Sequence, residues 1–334
     1  MGQRVARTEG GIAYASTGSG PPLVYVGGWV SHLELSWALP AERAFYDALA
    51  QGRTLIRYDK LGCGLSERTP PDRYSMAQEL DALDAVTGDL ERFDLIGTSL
   101  GAAVAATFAA RQPQRIQKLI LYGGWLDGSR VASPAIRTHV LGLVAQHWGL
   151  ASGLLADVFA PEADAGTRAA FVRYQQEAAD AETARTMLAA AYATDLTEVL
   201  PAIAAPTLVV HRDRDRAAPL SEGKKLADAI PGARFEVVAG RSHLPYIGDT
   251  GALTRAIRRF LGLPARHRGS GPALTARQRE VAALVAEGCT NRQIGERLGI
   301  AERSAEAHVE RIRLRMDFRS RAQIAAWYVA TAAN

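Results

Sequence analysis

The chain has 334 residues, 48% hydrophobic and 22% charged, the balance of a soluble globular protein with room for one large body and a small one. No apolar run approaches the ~20 residues of a membrane helix. The opening MGQRVARTEGG lacks the apolar stretch of a secretory signal, and Ala6 stands where a myristoylation pattern wants Ser or Thr. The net charge of +4 is unevenly placed: residues 265–334 carry twelve Arg, no Lys and seven Asp or Glu, against 27 basic and 28 acidic residues in 1–264. That excess suggests a polyanion partner for the last fifth of the chain alone, though a solvated helical face would read the same.

In chain order, short apolar runs end repeatedly in turn residues. Leu23-Val24-Tyr25-Val26 ends at Gly27-Gly28, 54–58 ends at Asp59, and Phe93 to Ile96 ends at Gly97. Lys118 to Tyr122 ends at Gly123-Gly124, Thr207 to Val210 ends at His211, and Arg234 to Val238 ends at Ala239-Gly240. Helical patterns such as Ala102 to Ala110 and Glu222 to Ile230 lie between them. This alternation predicts an α/β fold with a doubly wound, mostly parallel sheet, whose ligands bind beyond the carboxyl ends of the strands. From about 125 to 201 only helical stretches occur (135–148, 167–178, 181–193), which reads as a helical cap inserted over those ends. A polar, Gly- and Pro-rich linker at 265–272 then separates a body at 1–264 from one at 273–334. Cys63 and Cys289 fall in different bodies, so no disulfide framework and a reducing cytoplasm are expected.

Gly97-Thr98-Ser99-Leu100-Gly101 follows a strand and opens a helix. A tight turn with an idle serine would look the same, but this setting is the one a nucleophile elbow needs, with the helix N-terminus aimed at the same spot. A serine nucleophile requires a base and an orienting acid, in the chain order Ser, acid, His. His243 lies in a loop after the last strand. HRDRDRAAP offers Asp213 and Asp215, of which Asp215, four residues before Pro219, is chosen.

Together with 59–66 (DKLGCGLS), these residues resemble the α/β-hydrolase family over nearly all of 1–264. The resemblance implies a Ser99, Asp215, His243 triad and an oxyanion hole from the backbone N–H groups of Leu100 and Trp29. Two departures stand out: Gly27-Gly28 where many relatives have His-Gly, and Arg212 where they have a glycine after the strand-end histidine. Hydrolysis and mere binding both remain open. His32 reads as a loop histidine bound to backbone, His147 and Trp148 as packing residues, His211 as a strand cap and Cys63 as a small packed residue. No cluster has metal-ligand spacing and no dinucleotide fingerprint follows the first strand, so no metal and no cofactor are expected.

The second body reads as four helices. Thr275 caps the first, which Gly288 ends; the others span 290–298, 302–316 and 321–330. In the third, Ala305, Val309, Ile312 and Met316 form one buried stripe. Periodicity alone leaves a dimerisation domain open. The residues 274–281 (LTARQREV), 286–294 (AEGCTNRQI) and His308-Val309, however, resemble the LuxR-type helix-turn-helix DNA-binding domain over 272–330. The resemblance implies that 302–316 enters the major groove of double-stranded DNA with Glu306, Ala307 and Glu310 facing bases. Arg292, Arg303, Arg311, Arg313 and Arg315, with Thr290 and Asn291, would hold phosphates. Glu at 306 and 310 departs from the basic residues many relatives carry; each either reads a base or pairs with a neighbouring Arg. The last helix is a dimer face by resemblance, so a homodimer is expected. The whole reads as a cytoplasmic regulator that senses, and either cleaves or only binds, a small ester, lactone or acyl compound; the alternative is a working serine esterase or lactonase that the DNA-binding domain places or regulates.

Overall fold

A computed structural model describes residues 2–68, 74–264, 274–316, 318 and 320–332. The expected linker, 265–272, lies outside the described residues. Internal contacts divide the chain into two units, Met1–Pro264 and Ala265–Asn334.

The larger unit is built on one eight-stranded sheet: β1 (Arg4–Arg7), β2 (Ala13–Gly18), β3 (Pro22–Val26), β4 (Thr54–Tyr58), β5 (Phe93–Thr98), β6 (Ile116–Tyr122), β7 (Thr207–Arg212) and β8 (Arg234–Val238). The strand order is β1-β2-β4-β3-β5-β6-β7-β8. β1 and β2 are antiparallel, and every pair from β4 to β8 is parallel. The period-two alternation of a strand sorts the core into two layers. Val24, Val26, Leu95, Leu119 and Val209 pack on α3 (Met76–Thr87), α4 (Leu100–Arg111) and α9 (Leu220–Asp228). Leu23, Tyr25, Ile96, Ile120 and Val210 pack on α2 (Pro40–Ala50) and α10 (Thr250–Phe260). The short α1 (Leu33–Ala38) connects β3 to α2.

Between β6 and β7 the chain forms α5 (Pro134–Gln146), α6 (Trp148–Phe159), α7 (Ala165–Ala178) and α8 (Ala181–Ala193). A helix expected through residue 148 stops at Gln146, because His147 leaves helical backbone at φ −143°, ψ 64° and starts a new segment. The cap core, Val144, Leu155, Phe171, Met187 and Leu188, closes over Trp29 and Val30 from the loop after β3.

The smaller unit has α11 (Ala276–Ala286), α12 (Asn291–Leu298), α13 (Glu302–Arg315) and α14 (Arg321–Ala332). Thr275 with Gln278, and Thr290 with Gln293, form reciprocal capping boxes at α11 and α12. Gly299 takes the left-handed conformation (φ 64°) that turns α12 toward α13. Val281, Val285, Ile294, Ala305, Ile312 and Ile324 form the core, with Val309 and Met316 half-buried beside it.

Candidate active site

The turn between β5 and α4 is strained. Among the described residues, Ser99 alone of the non-glycine residues has positive φ, at φ 55°, ψ −127°. Such backbone persists only where its surroundings enforce it. A side chain on Gly97 would lie 2.3 Å from the Gly101 carbonyl oxygen, and one on Gly101 would lie 2.2 Å from that of Gly27. The turn can therefore be this sharp only with glycine at both places.

Ser99 is brought to His243 and Asp215. Ser99 Oγ lies 2.8 Å from His243 Nε2, and His243 Nδ1 lies 2.8 Å from Asp215 Oδ2. With Asp215 accepting from Nδ1–H, Nε2 is left to accept the Ser99 proton. Asp215 Oδ1 accepts from the Ala217 and Ala218 amides at 2.8 and 3.2 Å. Burial alone would raise the Asp215 pKa, but His243 and these amides hold the carboxyl below its ordinary value. Asp213, the rejected alternative, instead accepts from the Gly240 amide at 2.8 Å.

Trp29 lines the same pocket as Ser99, its indole N–H fixed to the Ala184 carbonyl of α8 at 2.9 Å. Leu100 is the first residue of α4, where backbone N–H groups have no helical partner. Gly28 packs so near Ser99 that a side chain there would meet Ser99 Cβ at 3.2 Å, whereas Gly27 faces open space. The Gly27-Gly28 departure thus leaves this loop close to Ser99.

The other departure does more. Arg212 is fully buried, donating to the Tyr122 hydroxyl at 2.9 Å, the Ala239 carbonyl at 3.0 Å and the Ile247 carbonyl at 2.5 Å. It ties β6, the end of β8 and the His243 loop together. Glu162, in the cap, accepts from the Arg241 and Ser242 amides at 2.9 Å each, while the His243 amide donates to the Phe159 carbonyl at 2.8 Å. The cap therefore holds the loop that carries His243. Nothing in the sequence pattern singled out Glu162; Arg212 was visible only as a departure.

His211 lies inside β7, fully buried, with Nε2 3.0 Å from the Ala218 carbonyl and 4.0 Å from Asp215 Oδ2. Burial lowers its pKa, so it is a neutral prop under the acid rather than an end cap of the strand. His32 caps α1 by accepting from the Leu35 amide at 3.4 Å and also lines the pocket. Trp148 packs on Trp29, ring centroids 5.6 Å apart. Cys63 is buried against Met187 Sδ at 3.6 Å, and burial pushes its thiol up to about 12. The pocket encloses about 90 Å³ between the Gly27–His32 loop, α2, the cap residues Phe159, Phe171 and Tyr174, and the loop after His243. Among the described residues there is no group of three or more His, Cys, Asp or Glu that could hold a metal ion. Nor is any helix long and apolar enough to cross a membrane.

In the smaller unit, Arg303, Glu306, Ala307, Glu310 and Arg311 are exposed on α13. Glu310 is bidentate to Arg313, at 2.5 and 2.8 Å, and the pairing holds its carboxyl below its ordinary value. Arg311 donates to the Ala307 carbonyl at 3.0 Å. Thr290 Oγ is committed to capping α12, Asn291 accepts from Arg321 at 2.7 Å, and exposed Arg292 lies 3.7 Å from Glu296. Arg315 ends α13; its side chain lies outside the described residues.

A family model for the alpha/beta hydrolase fold matches residues 21–250, and one for bacterial regulatory proteins of the luxR family matches residues 272–328. The 2-hydroxymuconate semialdehyde hydrolase of Pseudomonas putida is 29% identical over 231 residues, 64% of this chain and 78% of its own length. The pyrrolizixenacetamide deacetylase of Xenorhabdus hominickii is 26% identical over 262 residues, 75% of this chain and 94% of its own. The enol-lactonase from Burkholderia xenovorans LB400 shares the fold with a TM-score of 0.62 at 25% identity, over 78% of this chain and 100% of that one. The chain belongs to the alpha/beta hydrolase fold family and carries, fused after that domain, a LuxR-type helix-turn-helix DNA-binding domain.

Proposed function

We propose that this protein is a DNA-binding regulator whose hydrolase domain binds and cleaves a small ester, lactone or related acyl compound. The observation that carries the reading is the continuous relay of 2.8 Å contacts from Ser99 through His243 to Asp215. Ser99 Oγ attacks the acyl carbon while its proton passes to His243 Nε2, and Asp215 stabilises the imidazolium. The backbone N–H groups of Leu100 and Trp29 receive the oxyanion, each worth roughly 3–4 kcal/mol in the transition state. His243 then protonates the leaving alkoxide, and water reverses the sequence to release the acid and regenerate Ser99. The ~90 Å³ pocket suits a short acyl group rather than a long chain. Relatives named as a semialdehyde hydrolase, a deacetylase and an enol-lactonase support small substrates of this kind.

On the DNA side, α13 presents Glu306, Ala307 and Glu310 to base edges, with Arg303 beside them for a phosphate. Thr290, Asn291 and Arg292 at the start of α12, with Arg311 and Arg315 of α13, hold the phosphates of a duplex bound by a homodimer. Glu310 keeps Arg313 occupied until DNA competes for it. Ligand would alter DNA affinity only by binding two arrangements of the protein unequally. The test is a Ser99→Ala variant assayed for ester hydrolysis and for ligand-dependent duplex binding. Loss of turnover with retained DNA response supports a sensor that also cleaves. Unchanged turnover refutes the serine mechanism.

A further inference from the structure

The mechanism uses Ser99 and His243 and leaves the charged residues of the same pocket unexplained. Glu42, from α2, lines the pocket and is only 4% exposed. Its Oε1 accepts from the Tyr46 hydroxyl at 2.6 Å, whereas its Oε2 is buried with no hydrogen-bond partner among the described residues. The Tyr246 hydroxyl is a further hydrogen-bonding neighbour of the same carboxyl. A buried acceptor in that condition is costly and calls for a donor.

The donors already present are committed elsewhere. Arg57, the pocket's guanidinium, gives Nη1 to Ser36 Oγ at 2.9 Å and Nη2 to Gln3 Oε1 at 2.7 Å, and lies 4.0 Å over the Tyr46 ring. Against this one cation stand two carboxyls, Glu42 and Asp59. Asp59 is held through Oδ2 by the Leu33 and Leu65 amides at 3.1 and 2.8 Å, while its Oδ1, like Glu42 Oε2, has no hydrogen-bond partner among the described residues. Tyr25, Tyr46, Tyr174 and Tyr246 add four aromatic rings to the same wall. An anionic ligand group would meet two carboxyls here, and an alkyl terminus would leave Oε2 unmet. A protonated amine supplies both the donor and the missing charge.

We infer that Glu42 is a specificity-determining residue that selects a short acyl ligand bearing a primary ammonium group on its acyl chain. This deepens the proposed hydrolase function and rests on the reading of this pocket as the acyl site.

The test titrates full-length Ser99→Ala protein by calorimetry, at about pH 8, above the value of about 7 to which burial raises Glu42, with methyl esters from propanoate to heptanoate. Each chain length is supplied as the plain alkanoate, the ω-hydroxy ester and the ω-amino ester. The ω-amino ester of one chain length is expected to bind about ten-fold or more tighter than its alkanoate, as for one charge-assisted contact. Adding Glu42→Gln should reduce that preference to near unity. Equal affinities at every length, a preference for the hydroxy ester, or a preference unchanged by Glu42→Gln would overturn the inference. The comparison among ligands decides it even if Glu42→Gln does not fold. Turnover of the same esters by the unsubstituted protein is read separately: no turnover would sink the hydrolase reading and leave the binding result to judge Glu42.

Discussion

Replacing Glu42 by Gln should change the pH dependence of stability in a defined direction. Burial of Glu42 raises its pKa from 4.5 to about 7, with Tyr46 and Arg57 opposing the rise. The folded protein therefore binds this proton more tightly than the unfolded chain does. The contribution to stability is fully present below the unfolded value and is lost as pH rises through the folded one. A shift of this size corresponds to about 3 kcal/mol at most, of which about 2–3 kcal/mol falls between about pH 5 and about pH 8. Glutamine keeps the shape and does not titrate, so Glu42→Gln should gain that amount relative to the unsubstituted protein over the interval. Groups common to both proteins cancel in the comparison. The assay is urea unfolding followed by tryptophan fluorescence, Trp29, Trp37, Trp125 and Trp148 all lying in the larger unit. Stability curves that stay parallel across the range would refute the reasoning, as would a relative gain toward acid.

Other outcomes follow from the same geometry. Ser99→Gly should abolish ester hydrolysis yet raise stability by about 1 kcal/mol, because glycine tolerates φ 55° where serine is strained; denaturation midpoints compared with Ser99→Ala check this. Glu162→Ala should lower kcat roughly ten-fold with KM nearly unchanged, since it frees the Arg241 and Ser242 amides beside the base without touching the pocket; steady-state kinetics on a short ester would show it. Arg292→Ala should reduce the slope of log affinity against log salt by about 1 for any duplex, whereas Glu310→Ala, which releases Arg313, should raise non-specific affinity; both are read by fluorescence anisotropy.

The sheet's parallel strands were legible because β3, β5, β6 and β7 are short apolar runs ended by turn residues, and the period-two pattern survives in both core layers. β1 was not, since all four of its residues are exposed, and β2 alternates small residues with polar ones that carry little strand signal. The turn at Ser99 could be read from its glycines, and chain order drew attention to Asp215 and His243, whose meeting is a property of the fold. Glu162, Arg212 and Glu42 lay beyond sequence reasoning for a common reason. Each acts through burial or partners that only the fold supplies, and a lone charged residue has the same appearance in sequence when it faces water. The exposed face of α13 was readable from its buried stripe, but that Glu310 pairs with Arg313 could be seen only in coordinates.

Incubating the full-length protein with a fluorophosphonate and mapping the adduct by peptide mass spectrometry tests the central claim, that Ser99 is an activated nucleophile. The expected result is one stoichiometric adduct on Ser99 that disappears in His243→Ala. No adduct, or labelling elsewhere that His243→Ala leaves intact, would contradict it.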